Sequence, residues 1–403
     1  MRSRIVRRAF QWDDTTEFRA IWQGITLPIQ GQSLDNGCWA NSTKSGSFTL
    51  SILSVLSQLN RSGHTRLVPP STLKSNLKEN IVNKLYSVGG LKLELPIIVG
   101  AGVCKVPEQV LAYQGAPIGA VAPGSFTMSF RDKNAGAINM WPERAENEQD
   151  LMYVNNSWGM PNCGIDDAVT RFNALDAGFT MPLILNFAGF TPKEFGAGYR
   201  KVISIPRAVA YECNLGCPNT TELSGGITMS YDLAGIEATL DSLGEAWVPY
   251  GQKIWLKFSP FHHPAHYYLL EQIAELINHF NSFGTPLVEA VVAINTLPNV
   301  SIQYGGKPLI DAGGGYGGLS GKMLKPLALE NVRRWRKALR PETDVIGMGG
   351  ITNGRDVIDF LKEGAAAVGL TSYPTLLGGA KGMEQLLLES EDLQDYLSST
   401  QGA

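Results

Sequence analysis

The chain predicts an α/β fold, a (β/α)8 TIM barrel over residues 81–403 behind an N-terminal, helical extension over 1–80. Three observations carry this. From about residue 90, short apolar runs alternate with amphipathic stretches, the pattern of repeated βα units around a parallel sheet. Eight such runs can be counted, at 95–100, 118–122, 183–187, 208–214, 254–258, 290–294, 345–348 and 367–370. The residues that end them are unusually polar, as they are where barrel strands frame a site at their C-terminal ends.

Within the extension, Phe18, Ile21 and Trp22 form one helical cluster and Ile52, Val55, Leu56 and Leu59 another, around a Gly/Asn/Ser-rich stretch at 30–47. A packing appendage is favoured over a cofactor or partner site. In the barrel, the strongest helix runs over 264–281, where Leu269, Ile273, Leu276, Ile277 and Phe280 share one face. A second follows Asn353, turning Val357, Ile358 and Leu361 inward before Gly364 ends it.

Composition narrows the function classes. With 403 residues, 44% of them hydrophobic, the chain can bury a large core. A net charge of −3 argues against nucleic acid or an anionic membrane as partner, and the basic start at 1–8 reads as a solvated end. No apolar run approaches the ~18 residues that span a bilayer, so no transmembrane segment and a cytoplasmic location are expected. The cysteines Cys38, Cys104, Cys163, Cys213 and Cys217 are odd in number and lack metal-ligand spacing, which speaks against disulfides, zinc and iron–sulfur clusters. His262, His263 and His266 lie close together without an acidic or cysteine partner, so no metal site is expected.

The chemistry concentrates at strand ends. Cys217 stands between Asn214 and Asn219, directly after an apolar run. A thiolate accepts protons, and carboxamides both donate and accept hydrogen bonds, which suits a planar substrate with N–H and C=O edges. A buried, inert cysteine in a Pro-Asn turn is an equally weighted reading of this motif alone. Lys105, Asn186, Lys257, Asn295 and Thr296 end other runs and would converge on the same pocket. Gly349 and Gly350 after the seventh run, with Thr371 and Ser372 after the eighth, form the phosphate corner of a barrel and imply a phosphate-bearing cofactor.

Several motifs in one order, from about Gly90 to Gly378, resemble those of the dihydroorotate dehydrogenases, flavin enzymes of pyrimidine synthesis. They include the Cys217 loop, Asn156-Ser157-Trp158-Gly159-Met160, Gly317-Gly318-Leu319-Ser320-Gly321 and Leu324-Lys325-Pro326-Leu327-Ala328. The resemblance implies an FMN-binding TIM barrel that oxidises dihydroorotate, or a close cyclic amide, to orotate. It implies Cys217 as general base, with Lys105, Asn156, Trp158, Gly159, Met160, Asn214, Asn219, Asn295 and Thr296 at the substrate. Ala101, Gly102, Lys105, Ser125, Asn186, Asn214, Lys257, Ile294, Ser320, Gly321, Gly349, Gly350, Thr371 and Ser372 are the implied flavin contacts. Lys105 matches a lysine of the membrane-associated class, whereas the soluble class carries its lysine where this chain has Gly124. Trp158, Gly216 and Leu297 depart from the family pattern at positions expected to border the substrate ring. A dihydropyrimidine dehydrogenase-like reductase and a non-catalytic flavin-binding barrel are the alternatives. The electron acceptor (fumarate, NAD through a partner subunit, or quinone) stays open, as does a homodimeric state.

Overall fold

The computed structural model of the chain describes residues 84–136, 139–140, 152–176, 178–216, 228–247, 252–282, 284–373, 379–388 and 390–399. All belong to the compact unit Val68–Ala403. The expected extension over 1–80, Cys217 and Asn219 lie outside the described residues.

The described chain opens with a hairpin, β1 (Tyr86–Val88) and β2 (Leu91–Leu93), turned by Gly89 and Gly90 at φ 52° and 76°. Both turn positions need positive φ, which glycine reaches without steric cost. The βα succession follows: β3 (Ile97–Val99), α1 (Pro107–Leu111), β4 (Ala120–Val121), then β5 (Asn139–Met140) and β6 (Val154–Asn156) outside the barrel, and α2 (Ile165–Asn173). Next come β7 (Leu183–Phe187), α3 (Pro192–Val202), β8 (Ala208–Asn214), α4 (Leu233–Ala246), β9 (Ile254–Phe258), α5 (Pro264–Phe280) and β10 (Val288–Ala293). β11 (Leu297–Val300), β12 (Gln303–Tyr304), β13 (Lys307–Pro308) and β14 (Gly317–Ser320) form a second excursion. The chain ends with α6 (Lys325–Ala338), β15 (Asp344–Met348), α7 (Gly354–Lys362), β16 (Ala367–Leu370), α8 (Ala380–Leu388) and α9 (Glu391–Ser399).

Strands β3, β4, β7, β8, β9, β10, β15 and β16 pair in parallel, in that order, and the pairing of β16 with β3 closes the barrel. Four of the sequence-predicted strands match at both ends; the first two are shorter than expected, and the sixth starts two residues earlier, at Val288. Side chains alternate across the sheet. On β9, Ile254, Leu256 and Phe258 pack outward beneath the helices, whereas Trp255 packs in the barrel interior with Ile98, Ala210, Val292 and Ile346.

The inward face of α5 differs from the sequence expectation. Leu270, Ile273, Ala274 and Ile277 are buried, and Leu269, Leu276 and Phe280 border them. The buried stripe is therefore rotated toward Leu270 and Ala274 relative to the larger apolar residues. On α7, Phe360 is buried and Leu361 only partly so.

Two additions close and crown the barrel. The β1–β2 hairpin plugs the N-terminal end: the Trp255 indole donates to the Gly89 carbonyl at 3.0 Å, and the Gly89 N–H donates to Asp344 Oδ2 at 2.7 Å. Strands β11, β14, β6 and β5 form an antiparallel sheet, pairing Leu297 with Leu319 and Gly318 with Asn156. Among the described residues no helix is long and apolar enough to cross a membrane.

Replacing Trp255 by Phe removes the indole donor, orphans the Gly89 carbonyl and leaves a small void. The expected loss is about 2 kcal/mol, read as a lower urea midpoint at an unchanged slope.

Candidate active site

Because the plug closes one end, the barrel opens at the C-terminal ends of its strands, where a cavity of about 410 Å³ lies. Lys105, Ser125, Asn214, Lys257, Ile294, Asn295 and Thr296 reach it from the ends of five strands, and Ala101 and Gly102 from the loop after β3. Asn156 and Ser320 enter from the antiparallel sheet, and Trp158 and Met160 from the loop behind it. Gly321, Gly349, Gly350, Thr371 and Ser372 line a further corner, where Thr371 donates to the Ala101 carbonyl at 3.4 Å.

A chain of hydrogen bonds holds the polar wall. Asn214 donates to Ser125 Oγ at 2.9 Å, Asn295 donates to Asn214 Oδ1 at 3.0 Å, and the Thr296 N–H donates to Asn295 Oδ1 at 2.7 Å. Each carboxamide is thereby oriented by its neighbour. Lys105 donates to the Ser125 carbonyl at 3.4 Å, so a lysine from the first strand's loop reaches the end of the second, beside Gly124. The phosphate-like corner is tight: Gly350, at φ 76°, has no room for a Cβ, which would fall 2.4 Å from the Lys325 nitrogen at the start of α6. Ser320 and Ser372 hydroxyls meet at 3.0 Å across it. No described lining residue is acidic, while Lys105 and Lys257 are cationic, so the cavity suits anionic groups.

A family model described as "Dihydroorotate dehydrogenase" matches residues 85–387. The chain belongs to that family. Dihydroorotate dehydrogenases are oxidoreductases that act on a CH–CH bond, and so is this chain by its membership. The catalytic subunit of a dihydroorotate dehydrogenase B (NAD(+)) from Trichlorobacter lovleyi is 28% identical over 322 residues, 78% of this chain and 97% of that one. A chain of Streptococcus agalactiae, provisionally named dihydroorotate dehydrogenase A (fumarate), is 28% identical over 72% of this chain and 86% of its own length. A solved dihydroorotate dehydrogenase from Eimeria tenella, in complex with ferulenol, covers 83% of this chain and 94% of its own at a TM-score of 0.58 and 17% identity, a likeness of fold.

Within that family frame, two expected positions stand behind the cavity lining. Asn186 does not line the cavity; it is fully buried beneath it, donating to Glu212 Oε1. Gly159 also stands back: at φ 77° it packs on the Asn134 carboxamide, and its carbonyl accepts from Arg131 Nε at 3.0 Å, shaping the loop that carries Trp158. Of the three departures from the family pattern, only Trp158 lines the cavity. Leu297 pairs with Leu319 in the antiparallel sheet, and Gly216 faces Ser259, whose nitrogen would lie 2.6 Å from an added Cβ. That contact leaves no room for the usual serine.

Sequence reasoning passed over Glu212. It is buried on β8 with the inward parity of Asn214, and its Oε1 lies 3.7 Å from Lys257 Nζ. Opposite charges at that range attract by roughly 4 kcal/mol at an effective dielectric of 20, which offsets part of their desolvation. Its spacing of two from Asn214 was the available signal. Cys213 has the opposite parity and is buried in the outer core, where burial and the Glu212 charge push its thiol well above the usual range. Burial pushes the Cys104 thiol up to about 12 against the pull of Lys105. His266 stacks on Tyr231 at 4.7 Å between ring centres, and burial, with His262 and His263, lowers its pKa.

Asn214→Ala breaks the carboxamide chain and strips partners from Ser125 and Asn295. A loss of about 1–3 kcal/mol is expected in thermal or urea unfolding.

Proposed function

We propose that this chain oxidises dihydroorotate, or a close cyclic amide, to orotate with FMN as its bound cofactor. One observation carries the reading: a glycine corner built for an anion and a wall of mutually oriented carboxamides share one cavity with two lysines. The residues fit FMN on their chemistry. Gly349, Gly350, Thr371 and Ser372 would hold the phosphate, and Asn186 Oδ1, buried without a partner just behind the lining, would be the acceptor offered to a ring N–H at the cavity floor. When bound, FMN supplies the two-electron acceptor, taking hydride at N5.

The chain's own residues do the rest. Asn156, Asn214, Asn295, Thr296 and, from the undescribed loop, Asn219 would read the amide edges of the ring. Lys105 would pair with the substrate carboxylate. Cys217, the residue at the base position of the family's loop, would take the proton beside the carbonyl as a thiolate. Trp158, 38% exposed on the cavity wall, supports a ring bearing an apolar substituent as a second substrate reading. The enzyme would be cytoplasmic.

Purified protein should be yellow, with one FMN per chain by absorbance after acid release. Gly350→Ala, which drives a Cβ into Lys325, should cut FMN affinity at least tenfold; a colourless parent that takes up no FMN refutes the cofactor.

Anaerobic mixing with dihydroorotate and a panel of dihydropyrimidines tests the reaction. Cys217→Ala should keep FMN yet bleach it about 100-fold more slowly or worse, the scale of a lost general base, while Cys213→Ala should bleach at the parent rate. Equal rates for Cys217→Ala and the parent refute the base.

A further inference from the structure

Glu212 has no part in the chemistry proposed above, yet it is buried next to the groups nearest the cavity floor. Strand register explains how it comes there. Asn186 on β7 is paired with Glu212 on β8, and Lys257 on β9 is paired with Asn214, two residues further along β8. Residues two apart share a face, so all three side chains turn to the same side of the sheet. Lys257 reaches the cavity lining; Glu212 and Asn186 lie behind it.

Two contacts converge on one carboxylate oxygen. Asn186 Nδ2 donates to Glu212 Oε1, and Lys257 Nζ lies 3.7 Å from that same atom. The first contact selects the orientation of the Asn186 carboxamide: its N–H is spent on Glu212, and its oxygen is left as the unpartnered acceptor. The second sets a negative charge behind the Lys257 ammonium, with both side chains almost fully buried. In so poorly hydrated a place the pair is weakly screened. A group in the cavity therefore feels a lysine whose charge is partly offset.

We propose that Glu212 is a positioning residue of the cofactor site: it orients Asn186, holds Lys257, and tempers the positive field that Lys257 applies to the flavin. The inference rests on the reading that the cavity holds FMN. Its consequence is a reduction potential set by the pair of charges. A flavin gains negative charge on reduction, so an unopposed Lys257 would favour the reduced form.

An anaerobic redox titration of the FMN-loaded protein tests this, using the parent, Glu212→Gln, Lys257→Met and the double variant. Glu212→Gln should raise the midpoint potential, favouring reduction tenfold or more, about 30 mV for a two-electron couple. Lys257→Met should lower it. The double variant, which leaves no unpaired buried ion, should lie between the two and within tenfold of the parent. That variant alone decides the question if a single substitution prevents folding: a double variant more than tenfold below the parent overturns the proposal. So does Glu212→Gln with bound FMN, a lower melting temperature and an unmoved potential, the signature of a merely structural carboxylate. A parent that takes up no FMN overturns the functional reading as well, whereas an unmoved potential with FMN bound overturns only the role of Glu212.

Discussion

Parity along the closed sheet is the constraint on which the site depends. Once eight parallel strands close, every strand residue faces either the barrel interior or the surrounding helices, and a one-residue slip would exchange the two sets. On β8 the consequence is stark: Tyr211 and Cys213 belong to the outer core, while Glu212 and Asn214 face inward toward the chemistry. The same rule sends Trp255 and Lys257 inward from β9. Trp255, at the lower level, meets the hairpin plug, and Lys257, one level up, meets the cavity.

Polar groups at such depth are costly unless they are satisfied. The carboxamide chain from Ser125 through Asn214 to Asn295 and Thr296 does this by mutual donation, which also removes the freedom of each amide to turn. Side chains already aimed by such bonds need less ordering when a group binds against them. The phosphate-like corner is rigid for a different reason, because Gly350 touches the start of α6 so closely that backbone takes the place of a side chain.

The departures from the family pattern divide once placed. Gly216 is answered by Ser259, which occupies the space next to it, and Leu297 is absorbed by pairing in the mouth sheet. Trp158 alone presents new surface to the cavity, on a loop held by Asn134 and Arg131.

The barrel was legible in the sequence because buried parallel strands are continuous apolar runs, and the strands at 183–187, 208–214, 254–258 and 367–370 need no more than local composition to be found. Most of the cavity lining was legible too, since residues ending such runs converge by topology. What only the tertiary structure decided were contacts between segments far apart in the chain. The Gly89 carbonyl finds Trp255, Asn156 finds Gly318, and the Asn186 amide finds Glu212. Depth was likewise invisible: Asn186 stands near the end of its run as Asn214 does, yet it is level with Glu212, below the cavity, and Asn214 is at its wall. The stagger between adjacent strands sets that level, and stagger is a property of the closed sheet, recorded in no single segment of sequence.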